Sequence, residues 1–277
     1  MDAIQTVNLT KSYGKVRGIR NLNLTVSEGD FFGFIGPNGA GKSTTIRTLL
    51  GLIRPTSGSA SVLGMDIQKD REKILGCTGY LPSESSFYPG MRVKDILKLS
   101  ASLRKTDCTK NAKELCERLQ LDISRKAEEL SFGNRKKVGI VCALQHNPQL
   151  LILDEPTSGL DPLMQNRFID LIAEEKKRGK TILMSSHIFE EVERTCDRIG
   201  IIRKGKMVAV DSASALRERH ICTYTVTLES EAAAQAFARD FSGMQNGRQV
   251  TVKPRQSLEE IFMNYYGDEK NDESDLI

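Results

Sequence analysis

One glycine-rich stretch decides the fold of this chain, Gly36-Pro37-Asn38-Gly39-Ala40-Gly41-Lys42-Ser43. It fits the pattern G-x-x-x-x-G-K-[ST], in which glycines allow backbone N–H groups to turn inward around phosphate oxygens. Lys42 adds a mobile cation for the outer phosphates, and the hydroxyl of Ser43 can ligate Mg²⁺. We therefore predict that residues 36–44, with Thr44 included, bind ATP together with Mg²⁺.

The flanks of this stretch have the structure that a phosphate loop requires. An apolar run at Phe31–Ile35 predicts a buried strand before it, and Thr44–Leu50, closed by Gly51, predicts a helix after it. The N-terminus of that helix adds a partial positive charge beside the phosphates. A glycine-rich structural turn is the alternative, and the strand and helix on either side disfavour it.

A second motif is an apolar strand that ends in two carboxylates, Leu150-Leu151-Ile152-Leu153-Asp154-Glu155. Such a strand buries itself in a sheet and carries its last side chains to the edge where ligands bind. We predict that Asp154 holds Mg²⁺, directly or through water, and that Glu155 is the general base that polarises the attacking water. The alternative for both is a capping pair at a junction of strand and loop.

Strands and helices alternate along most of the chain, which predicts a mostly parallel sheet. Between 93 and 145 the apolar residues recur at helical spacing instead, so we predict a helical subdomain at 86–147 inserted in an α/β domain. Strands at 223–228 and 249–252 and helices at 231–241 and 258–266 form a small add-on. The predicted domains are therefore 1–215, a small C-terminal α+β domain at 216–267, and a disordered acidic tail at 268–277.

Composition excludes several classes of function. The 277 residues carry a formal net charge of only +4, without a dense basic stripe, so no nucleic-acid partner is predicted. No apolar run approaches the roughly 20 residues that cross a bilayer. The N-terminus has neither a basic leader nor an apolar signal core, which favours the cytoplasm. The six cysteines form no C-x-x-C pair and the three histidines are scattered, so neither type predicts a metal site.

Three further segments complete a recognisable order. They are Leu130-Ser131-Phe132-Gly133-Asn134, Ser158-Gly159-Leu160-Asp161, and His187 after an apolar strand. With the phosphate loop and the acidic strand, they resemble the ATPase subunits of ABC transporters over residues 1–215. The resemblance implies ATP hydrolysis and a P-loop NTPase fold of the ABC-ATPase type, with a mixed sheet core, an antiparallel β edge and an inserted helical subdomain.

The resemblance also implies roles for single residues. Tyr13 matches the aromatic residue that stacks on adenine. The segment Ser131 to Asn134 matches the signature, in which Ser131 and Gly133 reach the γ-phosphate of ATP held by a second ATPase subunit, in a homodimer or a heterodimer. Asp161 matches the aspartate that links the two sites, and His187 matches the histidine that contacts the γ-phosphate.

Two departures from the family pattern stand out. Phe132 and Asn134 replace a glycine and a glutamine of the signature, and Ser83, followed by Glu84, stands where a glutamine loop has its glutamine. A serine side chain is too short to span from this loop to Mg²⁺ and water. We therefore interpret Ser83 as a looser coupling residue, with Glu84 as a candidate substitute.

The type of transporter is indicated by two short segments. Ser257–Phe262 and the loop Gly79–Glu84 resemble those of ATPases that serve ABC-2-type exporters of drugs, antimicrobial peptides, lipids or polysaccharides. The implied partner is an integral membrane permease that docks near 83–89, which would hold the chain at the cytoplasmic face of the membrane. The alternatives are an importer ATPase, a low-turnover regulatory ATPase, and an ABC ATPase acting on DNA or ribosomes, for which the long coiled coil or second phosphate loop is missing.

Overall fold

The computed structural model describes residues 1–14, 16–212, 214–216, 223–252 and 260. The chain divides into two compact units, residues 1–210 and residues 211–277. The domain limits predicted at 215 and 267 stay predictions. The predicted tail at 268–277 and most of the predicted helix at 258–266 lie outside the described residues, as does most of the segment Ser257–Phe262.

A six-stranded sheet forms the centre of the first unit. Its order is β10-β9-β3-β8-β7-β6. The strands are β3 (Phe31–Ile35), β6 (Thr78–Leu81), β7 (Leu150–Asp154), β8 (Thr181–Ser186), β9 (Arg198–Arg203) and β10 (Lys206–Asp211). The pairs β6–β7, β7–β8, β8–β3 and β3–β9 are parallel, as the alternation of strands and helices predicted. Strands β3, β7 and β8 are buried at every residue, in agreement with the apolar runs Phe31–Ile35 in β3 and Leu150–Leu153 in β7.

An antiparallel sheet packs beside the central one. Its order is β2-β1-β4-β5, with β1 (Asp2–Tyr13), β2 (Val16–Ser27), β4 (Ser57–Val62) and β5 (Met65–Asp66). Strand β2 alternates apolar residues, at Leu22, Leu24 and Val26, with polar ones, which is the sequence signal of a half-buried strand. Strand β4 lacks that signal, because its sequence SGSASV offers only Ala60 and Val62 to the core. The predicted mixed architecture with an antiparallel edge is confirmed.

Helices cover the sheets and form the insertion. They are α1 (Lys42–Leu49), α2 (Arg71–Cys77), α3 (Val93–Leu103), α4 (Thr109–Arg118), α5 (Phe132–Leu144), α6 (Pro162–Lys177) and α7 (Phe189–Thr195), with a 3-10 turn at Ala127–Glu129. Side-chain caps fix the N-termini of two of these helices. Ser131 accepts a hydrogen bond from Asn134 N at the start of α5, and Asp161 accepts one from Met164 N at the start of α6. Helices α3, α4 and α5 lie within the predicted helical subdomain.

The main core lies where α1 packs between the two sheets. Ile46 and Leu49 of α1 are fully buried there. Both sheets supply fully buried partners, among them Leu9, Leu22, Phe32, Phe34, Leu150 and Ile152. This packing holds the helix that follows the phosphate loop rigidly against the strand that precedes it.

The second unit is a small α+β unit in its described part. Its sheet has the order β11-β13-β12, with β11 (Tyr224–Thr227), β12 (Met244–Asn246) and β13 (Gln249–Val252). Helix α8 (Glu231–Asp240) begins at the cap Ser230 and buries Ala234. Of the residues described along the whole chain, none belongs to a helix long and apolar enough for a membrane span.

His146, just beyond the end of α5, makes the stability of the fold depend on pH. The pKa of His146 is lowered to about 4, mainly by burial and secondly by the positive charge of Arg104. The unfolded chain takes up this proton near pH 6.5, so stability falls as the pH drops from 6.5 towards 4. Between pH 7 and 5 we expect a loss of about 1 kcal/mol, because partial solvent contact reduces the full effect.

Urea unfolding of the wild type and of His146→Phe at both pH values measures this loss. The variant should lack the His146 part of the pH dependence. His187→Asn, which removes an exposed histidine instead, should keep it. An equal pH dependence in wild type and His146→Phe would contradict the assignment.

Candidate functional site

The phosphate loop connects β3 to α1 and folds back on its own lysine. Lys42 is almost fully buried, and its Nζ donates to the carbonyl oxygen of Gly36 at 2.5 Å. Gly41 caps the helix with a φ of 114°, and a Cβ there would lie 2.9 Å from the side chain of Ile19. A glycine is therefore required at 41, both for the backbone angle and for the close approach.

Neighbouring turns hold this loop in place. The backbone N–H of Gly205 donates to the carbonyl of Ala40 at 2.9 Å, and the N–H of Arg20 donates to the carbonyl of Gly205 at 2.8 Å. Tyr13 packs near Gly18, whose carbonyl oxygen lies beside Gly41. The tyrosine ring is half-exposed, with the Nζ of Lys11 5.1 Å from its centroid. The structure thus places the predicted adenine-stacking residue close to the phosphate loop.

Asp154 ends β7 at the same edge of the sheet and is fully buried. One carboxylate oxygen accepts a hydrogen bond of 2.6 Å from the hydroxyl of Ser185 on β8. The other has no hydrogen-bond partner among the described residues. A buried carboxylate oxygen without a donor is costly unless a cation or water binds it, so the donor set fits a hard divalent ion such as Mg²⁺.

Glu155 joins the phosphate loop to the end of β8. Its Oε1 lies 3.2 Å from Lys42 Nζ, and its Oε2 lies 2.6 Å from Nδ1 of His187. The backbone of Glu155 has a φ of 49°, and its N–H donates to both the carbonyl and the hydroxyl of Ser185. Left-handed backbone at a non-glycine residue is uncommon and clusters at functional sites. Four side chains predicted for one site (Lys42, Asp154, Glu155 and His187) are therefore together.

A half-buried acid, absent from the sequence prediction, supports this group. Glu191 of α7 accepts hydrogen bonds from the hydroxyls of Thr157, at 3.0 Å, and Ser186, at 3.2 Å. Burial raises the pKa of Glu191, and the two hydrogen bonds oppose that rise. The network links the loop after Glu155 to the segment before His187. One sequence signal was available, since Glu191 lies one helical turn beyond His187.

The contacts of the signature segment, residues 131–134, are with other parts of the chain than the phosphate loop. Among the described residues, no hydrogen bond or ion pair joins 131–134 to 36–43. Ser131 caps α5, and the ring of Phe132 rests on Gly159, where a Cβ would come within 2.1 Å of ring carbons. Asp161 caps α6 through Met164 N at 3.0 Å. Ser131 is exposed at the N-terminus of α5.

The loop that contains Ser83 and Glu84, predicted as the coupling loop, is held in place by its backbone. The carbonyl of Ser83 accepts from Lys136 Nζ at 2.8 Å, whereas its hydroxyl forms no hydrogen bond within the described part of the chain. Glu84 lines a cavity of about 250 Å³ between the loop after β6 and the start of α5, together with Phe132 and Arg135. The loop predicted as the coupling site therefore adjoins the signature segment.

The contact between Phe132 and Gly159 makes a direct prediction. Gly159 has a φ of 79°, so Gly159→Ala is expected to lose about 1–3 kcal/mol from backbone strain and from the collision with the ring. Gly179→Ala is the matched control, because its φ is 85° but no atom lies within 4 Å of the added Cβ. Unfolding in urea should show the larger loss for Gly159→Ala.

Adding Phe132→Ala to Gly159→Ala should then recover part of the loss, because the smaller side chain removes the collision. Strict additivity in this double-mutant cycle would show that the two residues do not interact.

Known proteins are similar to this chain in both sequence and fold. Residues 19–158 match the family model described as ABC transporter. The chain is 39% identical over 223 residues to the bacitracin transport ATP-binding protein BcrA of Bacillus licheniformis, with 78% of this chain and 72% of that protein covered. It is 34% identical over 254 residues to the linearmycin resistance ATP-binding protein LnrL of Bacillus subtilis (strain 168), with coverages of 90% and 82%.

A solved structure described as an ATP-binding subunit of an ABC transporter has the same architecture. Its TM-score is 0.74 at 30% sequence identity, and the match covers 78% of this chain and 92% of that one. The similarity spans most of the first unit's length.

Proposed function

Since this chain belongs to the ABC transporter family as an ATP-binding subunit and ATPase, we propose that it powers a separate membrane permease that exports its substrate. The observation that carries the catalytic part is the position of Glu155, which lies 3.2 Å from Lys42 and 2.6 Å from His187. Cation, base and orienting histidine are the parts that phosphoryl transfer to water requires.

Residues 36–44 bind the phosphates of ATP, and Tyr13 offers a ring face to adenine. Ser43 and Asp154 would hold Mg²⁺, which neutralises charge on the phosphates when it is bound. Support for the ion comes from the unpartnered, fully buried oxygen of Asp154. The ion's ligands are all hard oxygens, as Mg²⁺ prefers.

Glu155 is the general base, and ATP binding releases it. Its carboxylate is paired with Lys42 at 3.2 Å, and the phosphates of ATP compete for the same ammonium group. Once Lys42 turns to phosphate, Glu155 is free to take a proton from water. His187, at 2.6 Å from the other carboxylate oxygen, keeps that carboxylate oriented.

The site is completed by a second ATPase subunit. Among the described residues, Ser131, Phe132, Gly133 and Asn134 form no hydrogen bond with the phosphate loop of their own chain, which supports this. In a head-to-tail pair, the N-terminus of α5 in one chain faces the ATP of the other, with Asp161 near the axis between the sites. Binding of two ATP molecules closes the pair, and hydrolysis lets it reopen.

The permease docks at the loop 83–89, beside the helical subdomain, and holds the chain at the cytoplasmic face of the membrane. Tyr88 in this loop is 73% exposed, and Glu84 and Arg135 line the adjacent cavity. Bacitracin transport and linearmycin resistance, named for two relatives, support export as the direction. A low-turnover regulatory role is the second candidate, favoured by Phe132, Asn134 and Ser83, which depart from the family pattern.

The base assignment predicts the effect of Glu155→Gln. We expect kcat for ATP hydrolysis to fall about 100-fold or more while ATP still binds, because the amide cannot accept the proton of water. Steady-state phosphate release and equilibrium binding of ATP measure the two quantities. Glu190→Gln, at an exposed acid of α7, should leave kcat unchanged. An unchanged rate in Glu155→Gln would exclude this base, and a slow wild type would favour the regulatory role.

The shared site predicts that turnover depends on protein concentration. Well below the dissociation constant of the ATP-bound pair, a tenfold dilution should lower the rate per chain about tenfold by mass action, whereas ATP binding per chain should stay constant. Specific activity measured across a dilution series tests this. A rate per chain independent of dilution, in protein shown to be monomeric, would mean that one chain is sufficient.

A further inference from the structure

Lys136 is a buried cation that the catalytic site does not account for. It lies in α5, four residues after the phenylalanine of the signature, and is 1% exposed. Its Nζ donates to two successive carbonyls, those of Pro82 at 3.2 Å and Ser83 at 2.8 Å. No carboxylate among the described residues forms an ion pair with it. Carbonyl dipoles therefore take the place of a counter-ion, and the ammonium is restricted to this position.

A second contact in α5 tightens the same connection. At Gly139, one turn beyond Lys136, an added Cβ would lie 2.5 Å from the hydroxyl oxygen of Ser85 and 2.9 Å from the side chain of Leu81. The helix and the segment 81–85 thus approach so closely that a larger residue at 139 would require the side chains of Ser85 and Leu81 to shift. Lys136 and Gly139 face the same stretch of chain, because residues three apart share a face of a helix.

Electrostatics explain why a lysine is kept charged at this place. Burial lowers the pKa of Lys136 to about 8, while the negative charges of Asp154, Glu155 and Glu84 act to raise it. Strand β6, which ends at Leu81, is paired in register with β7, which ends at Asp154. The segment after β6 therefore begins beside the catalytic carboxylates, and the ammonium of Lys136 lies in their field.

We propose that Lys136 is the positioning residue that couples the loop 82–85 to the signature helix α5, so that the two move as one body. The inference rests on the proposed function, in which 83–89 receives the permease and 131–134 contacts ATP of the second subunit. The side chain of Ser83 is too short to link its loop to the nucleotide site. Lys136 makes that link through the backbone instead.

The test uses the full-length chain with Glu155→Gln, which holds ATP without turnover. Hydrogen exchange is measured with and without MgATP in segments 82–89 and 131–134. We expect MgATP to protect both segments when Lys136 is present. In Lys136→Met, protection at 131–134 should remain and protection at 82–89 should be lost. Lys136→Arg, which retains a charged donor, should restore it.

Two matched variants and a kinetic measurement separate positioning from simple folding. Lys137→Met, the adjacent lysine, which is only half-buried, should behave as wild type. Lys136→Gln, which keeps an amide donor, replaces Lys136→Met in the experiment if the methionine variant does not fold. With Glu155 intact, Lys136→Met should lower kcat about tenfold, because the site is misplaced. The KM for ATP should stay within about twofold of the wild-type value.

The outcomes distinguish the inference from the function on which it rests. Retained protection at 82–89 in both Lys136→Met and Lys136→Gln would overturn the role of Lys136. Failure of MgATP to protect 131–134 with Lys136 intact would instead overturn the two-chain site. Loss of protection at 82–89 alone, with rescue by Lys136→Arg, supports the coupling.

Discussion

The site depends on one constraint, the need to neutralise a buried ammonium. Lys42 is only 6% exposed, and without phosphate it is satisfied by the carbonyl of Gly36 and the carboxylate of Glu155. A cation in such a place requires a partner in every state of the protein. In the proposed function, a phosphate of ATP would replace Glu155 as that partner, so that substrate binding and release of the base would be the same event.

The parallel sheet positions the residues that satisfy this constraint. Strands β3, β8 and β7 are adjacent and in register, so their carboxyl ends open at one edge. That edge receives Lys42 after β3, Glu155 after β7 and His187 after β8. The hydroxyl of Ser185 fixes Asp154 across two of these strands at 2.6 Å. Apolar burial on both faces of the strands thus fixes the positions of the charged groups at the strand ends.

The sequence predicted what is determined locally. The apolar runs beside the phosphate loop and before Asp154 predicted the strands β3 at Phe31–Ile35 and β7 at Leu150–Asp154, and the structure confirms both. Strand β4 was missed because small residues give no apolar alternation. Glu191 and Lys136 were missed for a different reason. Each is an ordinary charged residue on a helix, and only the tertiary structure shows that it is hydrogen-bonded to hydroxyls or carbonyls.

Those two missed residues have a common physical role. Glu191 connects the loop after Glu155 to the segment before His187, and Lys136 connects the loop after β6 to α5. Lys136 is buried and Glu191 half-buried, and each bonds two polar groups of segments other than its own helix, so moving one segment without the other would leave a charge or a polar group unsatisfied. Motion of one segment would then draw the other with it. In the proposed function, coupling would therefore depend on polar bridges placed one layer behind the residues proposed to contact ATP.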